Sequence, residues 1–209
     1  MTPKTSGTIA LALAALCLAG PVAGADYSDP TWPCVQRKVE RLSVGLMWPY
    51  PVPETMPDTV PQSARDDIAA LGAKLAVRRI APQDLAPDIA SFAAAHGGDP
   101  ALLGLVFADV FDSLSRRRAR IIGGIGDFSL SQIALAEKIE EARGEMTAEL
   151  KADAPDFDRI DALEEQLDWD QLIYSDRQKS ITYLCETPTL LERRLFEIAR
   201  MLQAEVDEG

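Results

Sequence analysis

From Ser63 almost to the C-terminus, apolar side chains recur every three or four positions, interrupted only by short Gly and Pro breaks. That spacing matches the pitch of an α-helix rather than the two-residue alternation of a half-buried strand. It predicts an all-α fold: an antiparallel bundle of about five to six helices, packed along seams of 3–4 spacing and preceded by an irregular N-terminal arm. No internal repeat is visible.

The breaks set the expected elements. A first helix covers residues 63 to 76, with Ile68, Leu71 and Leu75 on one face. A second runs from about Gln83 to His96 and ends at Gly97-Gly98. Asp99-Pro100 supplies an N-cap and a first-turn proline for a third, which reaches about Ile122. That helix is apolar almost all round over Leu102 to Leu114, so it is expected at the centre. Gly123-Gly124-Ile125-Gly126 should stop it. A fourth helix would carry Leu135, Ile139, Ala142 and Met146 to about Ala152, before the break at Ala154-Pro155. A fifth would run from Asp156 to Cys185, and Thr187-Pro188 would start a last one.

Before the helical body, five prolines fall between residues 49 and 61. Such density forbids a helix or a central strand and favours an extended, polyproline-like path. Trp48, Tyr50, Val52, Met56 and Val60 lie among them, whereas a flexible tether would be rich in Gly and Ser. Residues 26–62 are therefore read as an ordered strap lying on a helical bundle of residues 63–209.

Residues 1–25 have the form of a secretory signal. Lys4 gives the positive start, Ile9 to Ala19 the apolar stretch, and Ala23-Gly24-Ala25 the cleavage site after Ala25. The apolar stretch is too short to span a bilayer as a helix, and no later segment is suited to span one. Leu16 before Cys17 argues against lipid attachment. A periplasmic or secreted location follows. In that oxidising space the two remaining cysteines, Cys34 and Cys185, are expected to form a disulfide.

Charge narrows the partners. The chain carries 33 acidic and 21 basic side chains, a net charge of −12, which disfavours nucleic acid and anionic membrane surfaces. Residues 137 to 170 alone hold 13 acids and 4 bases. Glu137, Glu141, Glu145 and Glu149 share one helix face opposite the apolar seam, which reads as a solvated face without the oxygen-rich loop of a calcium site. His96 lies in a last helical turn, where a cation suits the dipole. With one His and both Cys paired, no metal is expected. Gly124-Ile125-Gly126 follows no strand and is not read as a phosphate loop, so no cofactor is expected either.

Two sets of residues remain as candidate sites. The run Arg116-Arg117-Arg118-Ala119-Arg120 ends the third expected helix, and its stripe Leu103, Phe107, Val110, Leu114 and Ile121 passes through Arg117. An inward Arg117 needs a partner, and Asp168 or Asp170 could supply it. Asp109 interrupts the same apolar stretch, while Gln171 and Gln178 continue the stripe of the fifth helix. The leading expectation is a noncatalytic, exported interaction or accessory protein. It would contact an envelope protein through Trp48, Tyr50, Arg116, Arg118 and Arg120. One alternative is a small-ligand protein holding an anion or amphipath against Asp109, Arg117, Gln171 and Gln178. Another is a hydrolase or lyase of envelope polymers using one of the many Glu residues, none of which the sequence singles out.

Overall fold

The computed structural model describes residues 28–207, so the signal-peptide reading of residues 1–25 lies outside it. The described chain is all-helical and contains no strand. It has four α-helices: α1 (Gln62–Leu75), α2 (Ala86–His96), α3 (Pro100–Leu150) and α4 (Phe157–Gln203), with 3-10 turns at Val44–Leu46 and Pro82–Leu85.

Four helices replace the expected five to six because two expected breaks do not break. α3 runs straight through Gly123-Gly124-Ile125-Gly126. Each helix-interior glycine costs about 1 kcal/mol relative to alanine. Ile122, Ile125 and Ser129 stay buried on the same face across the break, and that packing outweighs the loss. Positive φ angles occur only at Gly97 and Gly98 among the described residues, and there a helix does end. α4 likewise continues through Thr187-Pro188. Pro188 lacks an N–H for the helical ladder, but Cys185, Leu191 and Leu195 hold the flanking turns in the core. The Thr187 hydroxyl donates to the Tyr183 carbonyl at 2.8 Å.

α3 and α4, 51 and 47 residues long, form one antiparallel hairpin about 70–75 Å in length at 1.5 Å per residue. Its register is marked by Arg118–Glu192, Lys138–Asp170 and Arg159–Glu145 ion pairs. Asp156 caps the return helix by accepting from the Arg159 N–H. At the open end, α1 and α2 pack on the hairpin around Leu71, Leu75, Ile89, Phe107, Leu195 and Leu202. Toward the turn the core thins to Ile139, Ala142, Leu163 and Leu167. The molecule is thus a layered head from which a two-helix stalk projects.

Residues 28–61 lie against this framework. The Ser129 hydroxyl donates to the Pro30 carbonyl at 2.6 Å, and Cys34 is disulfide-bonded to Cys185. Further along, Gln203 Nε2 donates to the Met47 carbonyl at 2.6 Å. Trp48 stacks on Phe107 with ring centroids 5.5 Å apart, and Tyr50 meets it edge-on. A Cβ at Gly104 would stand 3.0 Å from the Trp48 Nε1, so glycine lets the indole lie flat on α3.

Candidate functional site

The buried polar groups separate architecture from contact surface. Arg118, not Arg117, is the inward arginine: it is 3% exposed, while Arg117 lies in solvent. The reason is spacing. Buried positions Leu103, Leu114 and Ile125, and likewise Phe107, Arg118 and Ser129, are 11 residues apart. A face repeating at 11 residues advances slightly faster than a heptad seam and meets Arg118. Arg118 Nε donates to Glu192 Oε1 at 2.7 Å and Nη1 to the Glu40 carbonyl at 3.3 Å. The expected pairing of Arg117 with Asp168 or Asp170 is absent: Asp170 pairs with Lys138.

The sequence reading missed a second buried arginine. Arg194 donates through Nε and Nη2 to the Leu75 carbonyl at 3.0 and 2.7 Å, and through Nη1 to the Ile80 carbonyl at 2.7 Å. It satisfies the C-terminus of α1, where helix-end carbonyls otherwise lack donors. Burial lowers its pKa, opposed by the charge of Glu197.

Several candidate contact residues therefore move into the framework. Trp48 is 2% exposed and belongs to the head core, so it is not a docking side chain; Tyr50 is half-buried against it. Arg118 is a structural link between α3, α4 and the strap. Arg116 and Arg120 do lie at the surface, Arg116 paired with Asp112 one turn earlier. The four proposed ligand residues do not converge. Asp109 is exposed and sits against Gly72 of α1. Arg117 is exposed on the head side of the hairpin, and Gln171 and Gln178 are exposed on the stalk. His96 ends its helix as expected and faces Asp67 at 3.1 Å.

The stalk carries a different feature. Between α3, α4 and the start of the strap lies a groove of about 580 Å³. Pro33, Phe128, Ile133, Ala136, Tyr174 and Ile181 give it an apolar lining, bordered by Gln178 and the exposed carboxylates Glu137 and Glu140. A smaller depression of about 290 Å³ continues it past Ala136 and Tyr174 to Arg143 and Gln171. Gln132 donates to the Tyr174 carbonyl across the helix pair at 3.2 Å. Pro33 forms the end nearest the head, and two restraints hold it there. One is the adjoining Cys34–Cys185 disulfide. The other is Asp29, which accepts from Lys38 Nζ at 2.8 Å and from the Thr31 N–H and hydroxyl. The Lys38 hydrogen bond, followed by those from Thr31, holds the Asp29 carboxyl at about 2.

Of the groove residues, the sequence reading named Gln171 and Gln178 as ligand candidates and Glu137 in a solvated acidic row, and placed Ile139 on a core stripe. The missed signal was a second set of small and apolar residues at 3–4 spacing beside the main seams, at Ser129, Ile133 and Ala136. Among the described residues, no group of three or more His, Cys, Asp or Glu side chains is placed to hold a metal ion, and no helix is long and apolar enough to cross a membrane. Fold and groove together define a head-and-stalk helical hairpin protein. Comparison with protein families, curated proteins and solved structures finds no match.

Proposed function

We propose that this chain is an exported interaction protein that binds a partner through the distal half of the α3–α4 hairpin. The observation that carries this reading is the uncovered apolar surface there. Ile133, Phe157, Trp169, Leu172 and Ile173 are all exposed, Trp169 at 61%. A two-helix pair buries only its facing seams. Trp169 and Leu172 adjoin on α4, and proteins that act alone rarely leave large apolar side chains grouped on a surface. The head has a third layer from α1, α2 and the strap; the stalk has none. Contact with an envelope protein thus moves from Trp48 and Arg118 to the stalk, with Arg116 and Arg120 left as surface cations near the head. Export through a signal peptide of residues 1–25 fits the Cys34–Cys185 disulfide, since such bonds persist in oxidising compartments.

Site-specific photocrosslinking in the producing cell tests this. A photoreactive amino acid at Ile133, Trp169 or Leu172 should give a discrete protein adduct, while the same group at exposed head positions Leu46 and Phe196 should not. Equal adducts at all five positions, or none on the stalk, would overturn the reading.

A further inference from the structure

We infer that the outer face of the distal α4 segment binds an arginine-rich segment of the partner, with guanidinium groups lying against Trp169 and the carboxylates around it. This rests on the partner-binding reading above and names the chemistry of what is bound. Asp161, Glu164, Glu165, Asp168, Trp169 and Leu172 line one depression, and all six belong to α4. At about 100° per residue, Glu165, Trp169 and Leu172 fall opposite the buried Ile160, Leu163 and Leu167, with Asp161 and Asp168 beside them. Trp169 and Leu172 are 61% and 53% exposed, whereas Trp32 and Trp48 are buried. Grouped apolar side chains rimmed by charged ones mark a contact surface.

The charge of this face restricts the partner. Residues 157 to 172 hold six acidic side chains and one basic one. The basic one, Arg159, pairs with Glu145, while Lys138 pairs with Asp170 and Arg143 with Glu140. Among the described residues, no ion pair reaches Asp161, Glu164, Glu165 or Asp168. These four stand three and four apart along the helix, a spacing at which like charges repel and weaken it. The fold gains nothing from that arrangement, but a cationic partner does. A guanidinium stacks on an exposed indole while donating to a neighbouring carboxylate, a combination that favours arginine over lysine. Leu172 calls for apolar side chains between the cations. A second copy presenting this same face would be repelled, as would an anionic lipid surface.

The test uses the disulfide-bonded protein and a peptide of about 12 residues in which arginine alternates with leucine and alanine, enough to cover the roughly 17 Å from Asp161 to Leu172. Analogues with lysine or glutamate in place of arginine are the comparisons. The arginine peptide should shift tryptophan emission saturably and shield it from acrylamide. Trp169→Phe should remove that signal, because the other two indoles are buried. With labelled peptide, anisotropy should show binding that weakens as salt rises, is several-fold weaker for the lysine analogue and is absent for the glutamate one. Trp169→Ala should weaken it roughly tenfold. Glu165→Gln combined with Asp168→Asn should weaken it about fivefold without lowering the melting temperature. Glu141→Gln combined with Glu186→Gln removes equal charge from exposed positions elsewhere on the hairpin and should leave binding within about twofold. An equal loss in that control would reduce the effect to net charge and overturn the inference. Binding of the glutamate peptide, indifference to Trp169→Ala, or a lower melting temperature on removing Glu165 and Asp168 would do the same. Salt-sensitive self-association abolished by Arg117→Glu with Arg120→Glu would assign the face to a second copy instead. Crosslinks at Trp169 and Leu172 without peptide binding would remove the arginine-rich occupant and leave the partner-binding reading standing. Absence of stalk crosslinks would remove both.

Discussion

At adjacent positions on α3, Arg117 and Arg118 meet opposite environments, and their substitutions should differ accordingly. Arg118→Met removes charge-assisted bonds to Glu192 and the Glu40 carbonyl. It should destabilise the fold by about 2 kcal/mol, less than a fully buried pair would lose because Glu192 remains partly solvated. Arg117→Met should fall within about 0.5 kcal/mol of the parent, as surface changes do. Urea midpoints of the two variants check the contrast. Asp29 gives a pH-dependent counterpart. Its carboxyl is held at about 2, below the ordinary 3.8, chiefly by the Lys38 hydrogen bond. A depressed folded-state pKa means the contribution is full above about pH 4 and is lost as pH falls toward 2. The stability gap between parent and Asp29→Asn, measured by urea denaturation, should therefore be present at pH 5, mostly lost by about pH 2 and closed below it.

For the helices, the glycine run of α3 offers the sharpest check on a continuous rod. A Cβ added at Gly123 or Gly124 would meet open space, and both residues lie in the helix interior. Gly123→Ala and Gly124→Ala should each stabilise the protein by about 0.5–1 kcal/mol through helix propensity and lost unfolded-state freedom. A turn that required left-handed backbone at these positions would give the opposite sign, which thermal or urea unfolding would show. The same rod should not be uniformly stable. The head core includes Leu75, Phe107, Leu195 and Leu202, while the stalk core rests on Ile139, Ala142, Leu163 and Leu167. Local opening is easier where fewer apolar side chains are buried. Amide hydrogen exchange should therefore be faster across residues 140 to 165 than across α3 and α4 beside α1.

Across the whole molecule, one covalent bond joins the segment before the prolines to the middle of α4. The Cys34–Cys185 pair closes a loop with a sequence separation of 151. The chain-entropy account gives it about 5 kcal/mol, an upper figure before any change in the folded state. Reduction should lower the urea midpoint accordingly. It should also increase hydrogen exchange over residues 29 to 38, the segment that carries Pro33 to the groove. A reduced protein with unchanged exchange there would show that Ser129 and Asp29 alone hold the strap.

The helical period, the cap at Asp99, the helix start at Asp156, the end of α2 at Gly97 and the cysteine pairing were all legible in the sequence. Each depends on local backbone chemistry, or on having only two cysteines left to pair. The number of helices was not legible, because Gly123, Gly124 and Pro188 lower helix stability only locally while buried neighbours on both sides restore it. Nor was the choice between Arg117 and Arg118, since one residue of seam advance along a long helix depends on how the partner helix lies. Trp48 shows the same limit: an aromatic residue beside prolines reads equally as a surface contact or a core plug until Gly104 and Phe107 are seen beneath it. The groove was hidden for a related reason. Its walls come from α3, α4 and the strap, and their residues become neighbours only when the hairpin closes. Sequence by itself determined the helical class, the acidic character and the covalent staple, which are properties of composition and local spacing. Only the tertiary structure decided which side chains are buried and where the stalk stands uncovered, because those depend on the register between segments far apart in the chain.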